Sequence, residues 1–222
     1  MSHAQWDGLS LPTFEKAFSY NLEDRPLKKI PDFSAYIAHS VAVRSKAIAY
    51  WKNMLGDTLV NYVFSAKPRR GADQESLPRS IEIQRLIPKP NLPNNVTLSF
   101  AMMSGSRDIV YGQVVGGRNA NLNGIDEILA SCMNIIPIRA RIDDLCTYAD
   151  LSSSLRLQYN SLGEADSLGL DEIITRCTKW PADFRLNSII QHQNILVTPE
   201  IYFGEFLPRS SGSTILVAFA EY

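Results

Sequence analysis

From Ile109 onward the chain alternates β-rich runs with amphipathic segments, and that order narrows the folds open to it. Ile109 to Val115 and Ile135 to Ile142 are dense in β-formers, separated by the turn-forming Gly116-Gly117-Arg118-Asn119 and the segment Asn121 to Met133. Ala149 to Leu162 and Leu170 to Thr178 carry apolar residues at helical spacing. Asn187 to Ile195 and Thr214 to Ala220 then return to strand character. Mixed order of this kind predicts an α/β layered domain with helices packed on a sheet. At 222 residues the chain is long enough to bury a substantial core.

The first half supplies helices and one strand. Ser10-Leu11-Pro12-Thr13 reads as a helix start, with a capping hydroxyl and a proline in the first turn, leading into Phe14 to Phe18. Asn21 to Pro31 is a polar connector. Ile37, Ala38, Val41, Ile48, Trp51 and Leu55 place a long helix over Ser34 to Leu55, with Gly56 positioned to stop it. Lys67 to Leu77 reads as a basic, mobile loop, and Ser80 to Ile87 as a strand ended by the prolines of Pro88 to Asn95.

Composition excludes several classes. Lysine and arginine total 22 against 23 acidic residues, so no global field favours nucleic acid or an anionic membrane as partner. Cys132, Cys146 and Cys177 are odd in number and lack ligand-like spacing, which argues against a disulfide framework and a zinc site. No apolar run approaches the roughly 20 residues of a membrane span, and no signal peptide is recognisable. A reducing cytoplasm is the simplest compartment.

The candidate chemistry lies at Ser2-His3-Ala4-Gln5-Trp6-Asp7-Gly8-Leu9-Ser10. A histidine four residues before an Asp-Gly turn suits a base held by a structural carboxylate, and a catalytic reading weighs only alongside other motifs, since an isolated HxxxD is common by chance. His39 and His192 gain no such support, the first lying on the long helix and the second in a strand; nothing in the histidine spacing requires a metal. Gly116-Gly117-Arg118 lacks the lysine and spacing of a P-loop, so Arg118 and Arg139 are expected to tie down loops or pair with carboxylates such as Asp7. Tyr50-Trp51 is read as core packing.

Taken together these segments resemble the condensation domains of nonribosomal peptide synthetases, particularly fungal ones, whose fold is similar to chloramphenicol acetyltransferase, which implies a mixed sheet with packed helices, here incomplete. The signature HHxxxDG appears as Ser2-His3-Ala4-Gln5-Trp6-Asp7-Gly8, with serine at the first histidine. Tyr50-Trp51, Tyr111 through Asn119, Met133-Asn134-Ile135-Ile136-Pro137-Ile138-Arg139, Leu170-Asp171-Glu172-Ile173 with Trp180-Pro181, and Ser188 through Asn194 follow in the family's order. The likeness runs to about Ile195.

The resemblance implies a carrier-dependent acyltransferase that forms an amide between carrier-bound thioesters. Two lobes would flank a tunnel reached from both sides by the phosphopantetheine arms of peptidyl carrier domains, with adenylation domains of the same synthetase as further partners and no cofactor bound directly. His3 matches the catalytic histidine, accepting or orienting the proton of an attacking amine, for which an imidazole pKa near 6.5 is suited. Asp7 matches the structural aspartate that pairs with an arginine, Gly8 fits the tight turn, and Asn134 and Ser10 fall at tunnel positions. The pattern SHxxxDxxS resembles terminal cyclising domains, while elongation domains look similar, so both roles stand.

The same resemblance assigns residues 1–33 to the end of an N-terminal lobe and connector, and 34–222 to a C-terminal lobe. It carries three departures: most of the N-terminal lobe has no counterpart before Met1, Val96 to Met103 allows two helical turns where the family has a long helix, and Thr214 to Tyr222 ends early. A fragment of this kind is expected to fold poorly alone and to show little or no condensation, acting otherwise as a module that docks a carrier or the missing lobe.

Overall fold

The computed structural model describes residues 7–26, 29–60, 80–86, 92–193 and 214–220. Helix α1 spans Leu11–Leu22 and α2 spans Phe33–Leu55. Strand β1 (Ser80–Leu86), α3 (Leu92–Ser104), β2 (Asp108–Val115) and β3 (Asn134–Arg141) follow. Then come α4 (Tyr148–Leu162), α5 (Leu170–Cys177), β4 (Ser188–Gln193) and β5 (Thr214–Ala220). Among the described residues the strands form one sheet in the order β1-β5-β4-β2-β3. Strands β2 and β4 run parallel and the other neighbours antiparallel, so the expected mixed α/β architecture is present. None of the described helices is long and apolar enough to cross a membrane.

The edge position of β3 explains how a strand can contain Pro137. Proline cannot donate to a ladder, so it is confined to edges and bulges, and here it sits opposite Gly112 on a strand with one neighbour. Behind this sheet lies the main core, where Trp51 and Leu55 of α2 are fully buried with Ile109 and Ile136 of the sheet and Ile173 of α5. Each such side chain contributes about 1.5–3 kcal/mol by leaving water. Trp51 also donates its indole N–H to the Ala165 carbonyl at 2.8 Å, fixing α2 to the turn after α4. Tyr50 meets Trp51 edge to face at 5.0 Å, in keeping with packing as their role.

Several expectations are corrected. Helix α1 continues to Leu22, into what reads as connector, and the Ser10 hydroxyl makes no capping bond to it. In α2 the buried row is Tyr36, Val43, Ala47, Trp51 and Leu55, while Ile37 and Val41 face outward. Residues 37 and 41 lie about 100° around the helix from 36 and 40, enough to leave the core face. Asp32 caps α2 by accepting from the Ser34 N–H at 2.7 Å.

The segment read as two turns at best is instead a 13-residue helix. Pro93 falls in its first turn, where the missing N–H breaks no helical bond. Thr97 and Phe100 are buried, Thr97 Oγ1 lies 2.9 Å from the Tyr111 hydroxyl, and the Phe100 and Tyr111 rings meet at 5.4 Å. That anchoring to β2 supports a helix that local sequence alone undersells. Lys67 to Leu77 lies outside the described residues.

Candidate functional site

The Asp7-Gly8-Leu9-Ser10 turn leads directly into α1, and its two ends lock each other. Ser10 N–H donates to Asp7 Oδ1 at 2.9 Å and to the Asp7 carbonyl at 3.1 Å. The Ser10 hydroxyl donates to that carbonyl at 2.8 Å while accepting from the Asp7 N–H at 3.0 Å. Aspartate and serine form such local loops readily because their short side chains reach their own backbone. Both residues are almost completely buried.

A charge buried this deeply requires a cation, and Arg118 supplies it. Its Nη2 lies 3.0 Å from Asp7 Oδ1 and 3.2 Å from Oδ2, and the Cys132 N–H donates to Oδ2 at 2.9 Å. Arg118 also holds the loop that follows it, donating to the carbonyls of Ile125, Ile128 and Ala130 at 2.7, 3.2 and 3.0 Å. The carboxylate therefore accepts from a guanidinium and two backbone N–H groups. Its capacity is used in holding the turn, and it is not free to act as a base.

Strand β2 delivers Arg118 through a turn that tolerates little change. Gly117 has φ +63°, and a Cβ there would stand 1.8 Å from the Cys132 carbonyl oxygen. Only glycine permits this approach. The Cys132 thiol is pushed up by burial, so this residue serves through its backbone and not as a thiolate. Beside it the Tyr36 hydroxyl is pushed up to about 12, chiefly by burial.

Next along the chain, Asn119 Nδ2 donates to Asp166 Oδ2 at 2.8 Å. Asp166 is fully buried, its Oδ1 has no hydrogen-bond partner among the described residues, and burial pushes its carboxyl up to about 6. Asn134 lies on the far side of the same turn, where its Nδ2 donates to the carbonyls of Asp166 and Leu168, both at 2.8 Å. Its Oδ1 accepts from the Ile135 N–H at 2.8 Å. Both amide hydrogens of Asn134 are thus engaged with backbone.

The structure brings Asp7, Ser10, Arg118, Cys132 and, through Asp166, Asn119 and Asn134 into one connected set. His3 lies outside the described residues. His39 is apart from this set in sequence role, paired with Glu164 at 2.8 Å, and the side chain of His192 lies outside what is described. Arg139 ties Asp108 and Asp57 to the β3 edge, with its Nε 2.8 Å from Asp108 and its Nη1 2.8 Å from the Met54 carbonyl. Sequence reasoning missed Asp166, whose partners Asn134 and Asn119 lie 32 and 47 residues away, and Tyr36, whose hydroxyl lies beside Cys132 and Asp166. Arg118 was legible as a carboxylate partner, though not as Asp7's alone.

No family model matches the chain. Among curated proteins it is 34% identical over 216 residues, 91% of its length, to nonribosomal peptide synthetase TES of Alternaria alternata. It is 35% identical over 234 residues, 100% of its length, to nonribosomal peptide synthetase dtxS1 of Metarhizium robertsii. The chain spans 4% and 3% of these two proteins. Among solved structures it matches holo T3CT with a TM-score of 0.79 at 23% identity, over 98% of this chain and 56% of that one. It matches the first condensation domain of the calcium-dependent antibiotic synthetase, in complex with a substrate analogue, at TM-score 0.63 and 14% identity, over 98% of this chain and 57% of that one. At these identities the structural likeness is one of fold.

Proposed function

We propose, for a chain whose homologues are fungal nonribosomal peptide synthetases and whose fold is that of condensation domains, that it supplies the histidine turn and C-terminal lobe of such a domain. Residues 1–33 then end an N-terminal lobe and connect it to the lobe of residues 34–222. The reaction is amide formation between two thioesters carried on phosphopantetheine arms of peptidyl carrier domains, in elongation or in terminal cyclisation and release.

The amine nitrogen of the acceptor attacks the donor thioester carbonyl carbon, a C–N bond forms and the C–S bond breaks. His3 takes or orients the proton lost by the amine, and the thiolate of the donor arm leaves and regains a proton. Asp7 and Gly8 shape the turn that presents His3, while Ser10 and Asn134 hold the adjoining backbone at the tunnel wall. The observation that carries this reading is the buried Asp7–Arg118 pair, which fixes the turn four residues after His3 while leaving no spare carboxylate capacity for chemistry. Such immobilisation is what proximity catalysis needs.

The test uses protein containing both lobes, with aminoacyl groups loaded on both carriers. His3→Ala is expected to lower amide formation by about 10²–10⁴-fold. A wild-type rate would reject His3 as the base. Linear against cyclic product separates elongation from cyclisation. A second reading, a non-catalytic docking module, is favoured by the exposed apolar row Phe14, Phe18 and Leu22 on α1. Capture of a carrier or a complementary lobe without amide product would select it.

A further inference from the structure

Asp166 has no part in the chemistry proposed above, yet it joins three segments of the site. Its carboxylate accepts from Asn119, the residue after Arg118, and its backbone carbonyl accepts from Asn134 at the start of β3. The short turn that carries it is itself held to α2 through Trp51 and the Ala165 carbonyl. Asn119 is the chain neighbour of Arg118, and Arg118 in turn holds both carboxylate oxygens of Asp7.

Polar groups buried to this depth are ordinarily satisfied. Asp166 is 0% exposed with one oxygen unpartnered among the described residues. The titratable groups near it are Tyr36 from α2 and Glu164 from its own turn, with Cys132 and Arg118 acting on the same tyrosine. Glu164 is in turn paired with His39, so no cation of that shell is hydrogen-bonded to Asp166.

From this geometry we infer that Asp166 is a positioning residue for the His3 turn, acting through its hydrogen bond to Asn119 and thence through Arg118 to Asp7. This rests on His3 being the group that the turn presents, and its test is separate from catalysis. Three histidines, His3, His39 and His192, give few imidazole carbon and proton signals in the full chain, and His3→Gln assigns one of them. The spectra are taken at about pH 7.5, above the usual imidazole range.

Asn119→Ala and Asp166→Ala are each expected to displace the His3 signal. Asp166→Asn is expected to restore it, because an amide oxygen still accepts from Asn119 without the charge. A His3 signal unmoved in folded Asn119→Ala overturns the inference. So does Asp166→Asn shifting it as far as Asp166→Ala, which would mean that charge, not the hydrogen bond, is sensed. If Asp166→Ala does not fold, a shifted Asn119→Ala signal with an unshifted Asp166→Asn signal supports the inference unaided. In two-lobed protein that forms amide, Asp166→Ala lowers kcat by about 10- to 100-fold with KM little changed. Absence of amide from the wild type would overturn the functional reading and leave the positioning result standing.

Discussion

Asp7 and Asp166 are both buried beside the turn that follows β2, but Asp7 accepts from a guanidinium and two backbone N–H groups whereas Asp166 Oδ2 accepts from the Asn119 amide and Oδ1 has no partner among the described residues. The first arrangement compensates a charge where it lies. The second leaves a carboxyl that burial drives towards its neutral form. Fixing the turn with a matched charge pair and bracing it with a poorly matched one suggests that rigidity is concentrated at Asp7, while Asp166 transmits a constraint at some expense of stability.

The contrast is broken most severely by Arg118→Met. That change strands the Asp7 carboxylate and three loop carbonyls, and the expected loss is about 3–5 kcal/mol, read from the denaturant midpoint. A loss below about 1 kcal/mol would show that Asp7 is not dependent on this cation. Gly117→Ala comes next, at about 2–4 kcal/mol, since a side chain there adopts positive φ and meets the Cys132 carbonyl. Wild-type stability would require the turn to shift freely, against the close packing observed.

Asp166→Asn sharpens the comparison from the other side. Folded Asp166 holds its proton to about pH 6, whereas its ordinary value is 3.8, so folding takes up a proton between those values. Its contribution is therefore fully favourable below 3.8 and falls as pH rises through about 6. The variant should match the wild type in Tm near pH 4 and exceed it above pH 6 by about 2–4 °C for each kcal/mol relieved. A difference independent of pH would contradict the buried-carboxyl account. Smallest is Val41→Ser, expected within about 0.5 kcal/mol because that side chain is 66% exposed.

Much of the fold was legible because it depends on local pattern. The alternating segments after Ile109 give β2, β3, α4, α5 and β4 within a residue or two, and the structure adds a capping box of Thr147 and Asp150 at the start of α4. Helix α3 was not legible, since its stability derives from Thr97 and Phe100 packing on Tyr111, a tertiary effect that propensity cannot register. The inward face of α2 was misread for a related reason: apolar Ile37 and Val41 resemble core residues until the sheet's position is known. In the site, the residue types of Asp7 and Arg118 announced a charge pair. Asp166 gave no local signal, because its meaning lies in a hydrogen bond to a residue 47 positions away.

The most direct test of a turn locked by Asp7 and Arg118 is a double-mutant cycle on folding free energy with Asp7→Asn, Arg118→Met and both together. Each single change strands the partner, so the double variant should lose less than the sum of the singles, with a coupling of about 2–3 kcal/mol. Additive losses within about 0.5 kcal/mol would contradict it.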